Sequence, residues 1–167
     1  VNRVEALKFI LEGTNKDLVI SGKLPFKDVN GKGKVWYDKY VLTGFQGGIV
    51  AGYLDLTFRP INTVSKVEFI KMLLTALDVP LETNLTEDVY SDVAKDSWPA
   101  PYVKYVKDKR LIDTYGNNFN PSQGMTREAV AKLIYRTIML RISGADQYTP
   151  NMSVSVDKSN LFFGINS

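Results

Sequence analysis

The chain of 167 residues contains neither cysteine nor histidine. Without cysteine it cannot form a disulfide, a thiolate nucleophile, or a zinc or iron–sulfur site built from cysteine ligands. Without histidine it cannot use Ser-His-Asp or Cys-His catalysis, an HExxH zinc motif or a histidine pH switch. An enzyme of this composition would have to use carboxylates, lysine, tyrosine or an oxygen-ligated metal.

Long apolar runs and concentrated charge are also lacking. The apolar runs extend over only a few residues, whereas a bilayer span needs about 20, so we expect no membrane insertion. The 21 basic residues exceed the 18 acidic ones by a net charge of +3 and are spread along the chain, which argues against a nucleic-acid partner. The 44% content of hydrophobic residues is enough for a buried core.

Three segments share one pattern, in which a polar residue and a basic residue precede an apolar helix. The segments are VNRVEALK, VSKVEFIK and MTREAVAK, and they begin at residues 1, 64 and 125. Asn2 with Glu5, and Ser65 with Glu68, have the spacing of a capping box, and Thr126 is expected to cap the third helix. The pattern predicts three helices that begin in the same way.

A second set of matches precedes the second and third of these helices. Phe26-Lys27-Asp28-Val29 matches Tyr90-Ser91-Asp92-Val93, Trp36 matches Trp98, and Phe58-Arg59-Pro60 matches Phe119-Asn120-Pro121. Each unit is therefore predicted to contain an aromatic-x-Asp-Val turn, a first helix opening at tryptophan, a Phe-x-Pro loop and a second helix. The first helices are expected over about 36–45 and 98–110, which indicates an all-α fold of tandem helix-loop-helix repeats.

This unit resembles the S-layer homology repeat, which also carries a Gly-Ile-x-x-Gly segment and a Thr-Arg-Ala-Glu helix start. The resemblance implies a pseudo-threefold spindle around a central helical bundle, with the first repeat incomplete. The expected divisions are the C-terminal helix of a first repeat (1–12), a linker (13–23), the second repeat (24–79), a linker (80–88), the third repeat (89–142) and a tail (143–167). Since the front half of the first repeat is missing, we expect a fragment of a longer protein.

The resemblance also implies a function. Members of the family anchor proteins noncovalently to an anionic secondary cell-wall polysaccharide, often a pyruvylated one, outside the bacterial cell. We therefore expect a non-catalytic, extracellular cell-wall or S-layer module that needs no cofactor and no metal. Two alternatives remain: a protein-interaction module that assembles with other surface-layer proteins, and a carboxylate-based glycan hydrolase. The capping boxes account for Glu5 and Glu68 without catalysis.

The basic residue after each N-cap is a candidate ligand-binding group. Arg3, Lys66 and Arg127 lie in the first turn of a helix, where free amides and the helix dipole already favour an anion. A bound carboxylate would explain a cation there, and an ion pair with an acid of a neighbouring repeat is the alternative. Lysine cannot grip a carboxylate with two parallel hydrogen bonds, so Lys66 is expected to give the weaker site.

Aromatic and acidic residues complete the candidate site. Trp36 and Trp98 present a surface on which a sugar can stack, or they anchor the packing of the two helices of a repeat. Asp28 and Asp92 either receive sugar hydroxyls or cap the turn that follows them. Gly52 is expected to supply a positive φ or a close approach of the backbone.

The sequence departs from the family pattern at Lys66, which replaces an arginine, at Thr114, and at Glu128, which stands one residue early. Thr114 stands where the third repeat should have the counterpart of Gly52, so we expect this repeat to bend differently there. After about residue 142 the repeat pattern ends, and Met152, Val154 and Val156 alternate as in a strand. This alternation predicts that the tail is the start of another domain.

Overall fold

The computed structural model describes residues 1–114 and 116–152. Five α-helices occur there: α1 (Arg3–Gly13), α2 (Asp38–Gln46), α3 (Lys66–Ala76), α4 (Ala100–Asp108) and α5 (Arg127–Ser143). The same residues form isolated β-bridges but no strand, so the all-α class is confirmed. None of these helices is long and apolar enough to cross a membrane. The predicted strand of the tail extends beyond residue 152 and lies outside the described residues.

The first helix of each unit begins later than predicted. α2 and α4 start two residues after Trp36 and Trp98, which lie in the turns before them. Before α2 the turn is fixed by Asp38, whose carboxylate accepts a hydrogen bond from the amide of Lys34 at 2.9 Å. Before α4 it contains Pro99, whose fixed φ suits the start of a helix. The prediction that these helices open at tryptophan is therefore wrong by two residues.

The second helices begin as predicted. The Asn2 side chain accepts from the Glu5 amide at 2.9 Å, and the Glu5 carboxylate accepts from the Asn2 amide at 3.0 Å. Ser65 and Glu68 form the same reciprocal pair, so both capping boxes are confirmed. Thr126 accepts from the amide three residues on at 3.1 Å and caps α5 without a reciprocal acid.

The core lies between the second helices. α1 contacts α3 and α5, while α2 packs on α1 and α4 packs on α3. Leu7 and Leu11 of α1 and Ile70 and Leu74 of α3 are at most 1% exposed. Burial of such a side chain stabilises the folded state by about 1.5 to 3 kcal/mol, so these faces hold the units together.

Each Phe-x-Pro loop is hydrogen-bonded to the second helix of the unit before it in the chain. Loop carbonyls accept from the first-turn amides of that helix, which have no partner within the helix itself. The pairs are Arg3 with Asn62 (2.9 Å), Val4 with Pro60 (3.1 Å), Lys66 with Gln123 (2.7 Å) and Val67 with Pro121 (3.1 Å). The same contact therefore occurs twice, one repeat apart.

The three second helices start side by side. The amide of Val64 donates to the carbonyl of Val1 at 3.1 Å, and the amino group of Val1 donates to the carbonyl of Met125 at 2.8 Å. Antiparallel bridges join Asn2 to Thr63 and Ser65 to Gly124 beside them. The residues just before α1, α3 and α5 are thus linked to one another by their backbones.

The outer face of α5 is uncovered. Ala131 and Tyr135 follow the N-cap of α5 at the spacing at which Leu7 and Leu11 follow that of α1, yet both are exposed. Ile142, the last residue but one of the same helix, is also exposed. In the described residues, α5 has no packed first helix corresponding to α2 on α1 or α4 on α3.

Candidate functional site

A groove of about 270 Å³ brings together residues of three units, and we name it the first groove. Its lining residues are Arg3 of α1, Ile49, Val50 and Ala51 of the loop after α2, Glu68, Lys71 and Met72 of α3, and Trp98 before α4. Two residues predicted to bind a ligand, Arg3 and Trp98, therefore lie in one groove although they are far apart in the sequence.

Arg3 is fixed in this groove by uncharged groups. Its Nη2 donates to the carbonyl of Ala51 at 2.8 Å, and its guanidinium carbon lies 4.5 Å from the centre of the Phe58 ring and 5.2 Å from that of Tyr53. Its Nε is buried and has no hydrogen-bond partner among the described residues. No carboxylate of residues 1–114 and 116–152 forms an ion pair with it, so its orientation is set while its charge stays available to an anion.

The two tryptophans occupy matching positions and are each 55% exposed. Lys71 of α3 lies with its Nζ 5.5 Å from the Trp98 ring, and Lys8 of α1 lies with its Nζ 5.7 Å from the Trp36 ring. Each ring is therefore packed on one lysine but keeps about half of its surface accessible. Such a ring can carry the apolar face of a sugar beside a positive charge.

A second groove, of about 240 Å³, is the counterpart of the first in the next repeat. Leu111, Ile112 and Asp113 take the places of Ile49, Val50 and Ala51, and Lys132 of α5 takes that of Lys71. The remaining lining residues are Thr126, Glu128, Ala129, Leu133 and Arg136. Both grooves thus share a loop after a first helix and the second helix of the same repeat. The first groove is completed by Arg3 and Trp98 of neighbouring repeats, whereas the lining of the second comes from one repeat.

The second groove contains an internal ion-pair network that the first lacks. The carboxylate of Asp113 accepts two hydrogen bonds from Arg136, at 2.8 and 3.1 Å, and one from Lys132 at 2.9 Å. Arg136 is only 9% exposed. These hydrogen bonds, from Arg136 first and Lys132 second, lower the pKa of Asp113, so the carboxylate is ionised.

The Lys66 side chain is hydrogen-bonded to the Phe-x-Pro loop of the third repeat. Its Nζ donates to the carbonyl of Phe119 at 2.5 Å and lies 4.7 Å from the centre of the Phe119 ring. Burial lowers the pKa of Lys66, and the nearby charge of Asp92 opposes this effect. With a single nitrogen already hydrogen-bonded, Lys66 has less to offer an anion than Arg3 does.

Arg127 forms an ion pair with Glu5 of α1, which is the alternative to ligand binding expected from the sequence for this position. Its Nη2 lies 2.5 Å from Oε1 of Glu5, and its side chain is 72% exposed. Its guanidinium also lies 5.7 Å from the centre of the Phe9 ring on α1. The Asn2 amide and then Arg127 lower the pKa of the Glu5 carboxylate, which therefore carries charge opposite to that of Arg127.

Asp28 and Asp92 hold the Phe-x-Pro loops. Both oxygens of Asp28 accept backbone hydrogen bonds at 2.7 Å, from the amides of Phe58 and Arg59. Asp92 accepts in the same way from Phe119 (2.8 Å) and Asn120 (2.7 Å). The geometry supports a structural role for both aspartates, with partners about 30 residues on in the chain instead of in the turn that follows.

The φ of Gly52 is not positive, so its backbone conformation does not explain why a glycine stands here. The explanation is the close approach of neighbouring atoms. A Cβ at this position would lie 2.2 Å from Cε1 of Phe26 and 2.9 Å from the carbonyl oxygen of Thr57. At the matching place of the third repeat, the Thr114 hydroxyl is hydrogen-bonded to the hydroxyl of Tyr90 at 2.9 Å. Of the two sequence-based explanations for Gly52, the close approach is confirmed.

Three residues of the grooves were not singled out from the sequence. Lys71 recurs at the same place after each N-cap, as Lys8 and Lys132, and this repetition was a usable signal. Asp113 was visible as an acid at the position of Ala51. The third residue is Arg136. Its ion pair with Asp113 depends on the packing of α5, and the second repeat has no equivalent pair from which it could be predicted.

Comparison with known proteins agrees with this architecture. The S-layer homology domain model matches residues 25–70 and 89–136, more than half of the chain. The repeated pairs of helices with capped second helices define a helical repeat module. This chain belongs to the S-layer homology domain family.

Its relatives are much longer proteins. The chain is 29% identical over 111 residues to exoglucanase XynX of Acetivibrio thermocellus, which covers 66% of this chain and 10% of that protein. It is equally identical over 111 residues to an amylopullulanase of Thermoanaerobacterium thermosulfurigenes, covering 6% of that protein. It is 27% identical over 142 residues to the surface-layer 125 kDa protein of Lysinibacillus sphaericus, covering 83% of this chain and 12% of that protein.

Proposed function

We propose that this chain is a non-catalytic anchoring module that binds an anionic, pyruvylated secondary cell-wall polysaccharide at the bacterial surface. The observation that carries the proposal is the first groove, in which the oriented guanidinium of Arg3 forms no ion pair within the described residues and a half-exposed Trp98 lines the same groove. An arginine held by neutral groups keeps its full charge for a ligand.

The relatives support anchoring instead of catalysis. Two are named as enzymes with different activities and one as a surface-layer protein, and the shared segment is a small part of each. A segment common to proteins of different activities is expected to serve their placement instead of their chemistry, and the surface-layer relative points to the cell surface as that place. The acids considered for a hydrolase, Glu5 and Glu68, are both engaged in capping boxes.

The groove suits a carboxylate attached to a sugar. The free N–H groups of Arg3 and the ammonium of Lys71 would bind the carboxylate of a pyruvate ketal, since charge-assisted hydrogen bonds are the strong ones. The exposed face of Trp98 would carry the apolar face of the sugar ring. The glycan then needs only to be held, and no bond in it has to break.

We also propose that α1, α3 and α5 form the central bundle of a pseudo-threefold spindle, with α1 as the C-terminal helix of a first repeat. The recurring bonds between Phe-x-Pro loops and first-turn amides support this arrangement, as do the backbone links among Val1, Val64 and Met125. Low-resolution scattering of the chain in solution, fitted to a spindle and to an extended array of repeats, distinguishes the two shapes.

Calorimetric titration tests the proposed ligand. We expect the chain to bind a pyruvylated cell-wall glycan fragment and to bind the same fragment poorly after the ketal is removed. Arg3→Ala should weaken binding about tenfold to hundredfold, because a charged hydrogen bond contributes roughly 1.5 to 3 kcal/mol. Arg127→Ala is the matched control at the same helix position, and a smaller loss is expected because Glu5 already pairs with it. Equal affinity for both fragments would refute the proposal.

The alternative role as a protein-interaction or self-assembly module is favoured by one observation. Ala131, Tyr135 and Ile142 leave an exposed apolar stripe on α5, and α1 and α3 bury the positions that match Ala131 and Tyr135. Sedimentation equilibrium of the wild-type chain and of Tyr135→Lys tests this role. Concentration-dependent association that the substitution abolishes would favour assembly through α5 over glycan binding.

A further inference from the structure

We infer that Asp113 is a specificity-determining residue that closes the second groove to anionic glycans, because its own carboxylate occupies the place that a ligand carboxylate takes in the first groove. This inference rests on the proposed function of the first groove. It predicts that the two grooves, which share a loop and a second helix at equivalent positions, differ in what they accept.

The position of Asp113 follows from the correspondence of the grooves. Asp113 stands at the place of Ala51, the loop residue whose carbonyl holds Arg3 in the first groove. Its carboxylate is gripped by Lys132, the counterpart of Lys71, and by two nitrogens of Arg136. A bidentate arginine contact reinforced by a lysine is the arrangement expected for a bound carboxylate ligand.

The cations of the second groove are therefore already neutralised. Lys132 and Arg136 both pair with Asp113, and Glu128 adds a further negative charge to the lining. In the first groove, by contrast, Arg3 and Lys71 form no ion pair within the described residues, and Glu68 is the acid of the lining. An incoming anion would be attracted to the first groove and repelled by Asp113 in the second.

A tethered carboxylate also competes better than a free one. Asp113 belongs to the same chain as Lys132 and Arg136, so its carboxylate stays at a high effective concentration beside them whether or not a ligand is present. A ligand that displaced Asp113 would also have to pair with the nearly buried Arg136 in its place, because a buried charge without a partner is costly. We therefore expect one pyruvate-ketal site in the pair of grooves, located in the first.

The test exchanges the two loop residues. Asp113→Ala removes the internal carboxylate, and Ala51→Asp introduces one into the first groove at an exposed position, with Ala51→Asn as its uncharged control. Each variant is titrated with a pyruvate-ketal monosaccharide and with the depyruvylated sugar. The side-chain NMR signals of Lys71 and Lys132 report which groove is occupied.

We expect the ketal to shift the Lys71 signal alone in the wild type. In Asp113→Ala the Lys132 signal should shift as well, with first-groove affinity unchanged. Ala51→Asp should weaken first-groove binding about tenfold or more, and Ala51→Asn should weaken it less.

The outcomes separate this inference from the proposed function. The role of Asp113 is refuted if the ketal shifts the NMR signal of Lys132 in the wild type, or if it does not shift that signal in a folded Asp113→Ala variant. Both results count whether or not the first groove binds the ketal. If Lys71 fails to respond in every variant but Lys132 responds in Asp113→Ala, the first-groove site is wrong and the role of Asp113 stands. If Asp113→Ala does not fold, equal binding by Ala51→Asp and the wild type overturns the inference.

Discussion

Gly52 offers the sharpest test of how the loop of the first groove is held. In Gly52→Ala the new Cβ would lie 2.2 Å from Cε1 of Phe26, 2.7 Å from its Cδ1 and 2.9 Å from the Thr57 carbonyl oxygen. The Phe26 ring cannot yield freely, because it packs on the rings of Phe45 and Phe58 at 5.2 and 5.3 Å. Overpacking of this kind costs about 1 to 3 kcal/mol, which corresponds to a fall in Tm of about 2 to 12 °C.

Thermal and urea unfolding, followed by circular dichroism, measure the effect. Gly124→Ala is the control, because its Cβ would meet only Thr63 at an ordinary 3.4 Å, and its stability should change by less than about 0.5 kcal/mol. Combining Gly52→Ala with Phe26→Leu should recover part of the loss, since removing ring atoms relieves the clash. If Gly52→Ala is as stable as Gly124→Ala, or if the two changes are strictly additive, the close-approach explanation is refuted.

Three further results are expected. The pKa values of Glu5 and Asp113 are lowered in the folded state. The stability that these carboxylates confer is therefore present above their ordinary pKa values of 4.5 and 3.8 and is lost as the pH falls through the lower folded values. A Tm that does not fall on acidification from pH 5 to pH 2 would contradict this expectation. Ser65→Ala and Thr126→Ala should each lower the free energy of unfolding by about 1 kcal/mol in urea denaturation, and an unchanged value would mean that water replaces the cap. Glycan binding should persist in EDTA, because the described residues contain no cluster of potential metal ligands; loss of binding that calcium restores would overturn this expectation.

The repeats made the local structure predictable. Capping boxes depend on residues three positions apart, so Asn2 with Glu5 and Ser65 with Glu68 could be predicted from spacing alone. The starts of α2 and α4 could not be predicted to the residue. Trp36 and Trp98 mark the turns before these helices, and the helix bounds depend on hydrogen bonds within those turns.

The roles of the predicted site residues depended on contacts between repeats. The pattern placed Arg3, Lys66 and Arg127 at equivalent positions, yet each has a different partner: a loop carbonyl for Arg3 and for Lys66, and Glu5 for Arg127. A sequence period shows which residues are equivalent, but not which neighbour each of them meets. The neighbours come from other repeats, and the spacing of residues within one repeat does not determine how the repeats pack.

The loops that cross from one unit to the previous helix also set the order in which the chain can complete its folding. In α1 the amides of Arg3 and Val4 find their acceptors at Asn62 and Pro60. In α3 the amides of Lys66 and Val67 find theirs at Gln123 and Pro121. During synthesis each of these helices therefore leaves the ribosome a full repeat before the carbonyls that cap it. A nascent chain that ends before Pro121 would keep the local capping box of α3 but would leave the amides of Lys66 and Val67 without their loop acceptors. The completion of each unit therefore lags one repeat behind its translation.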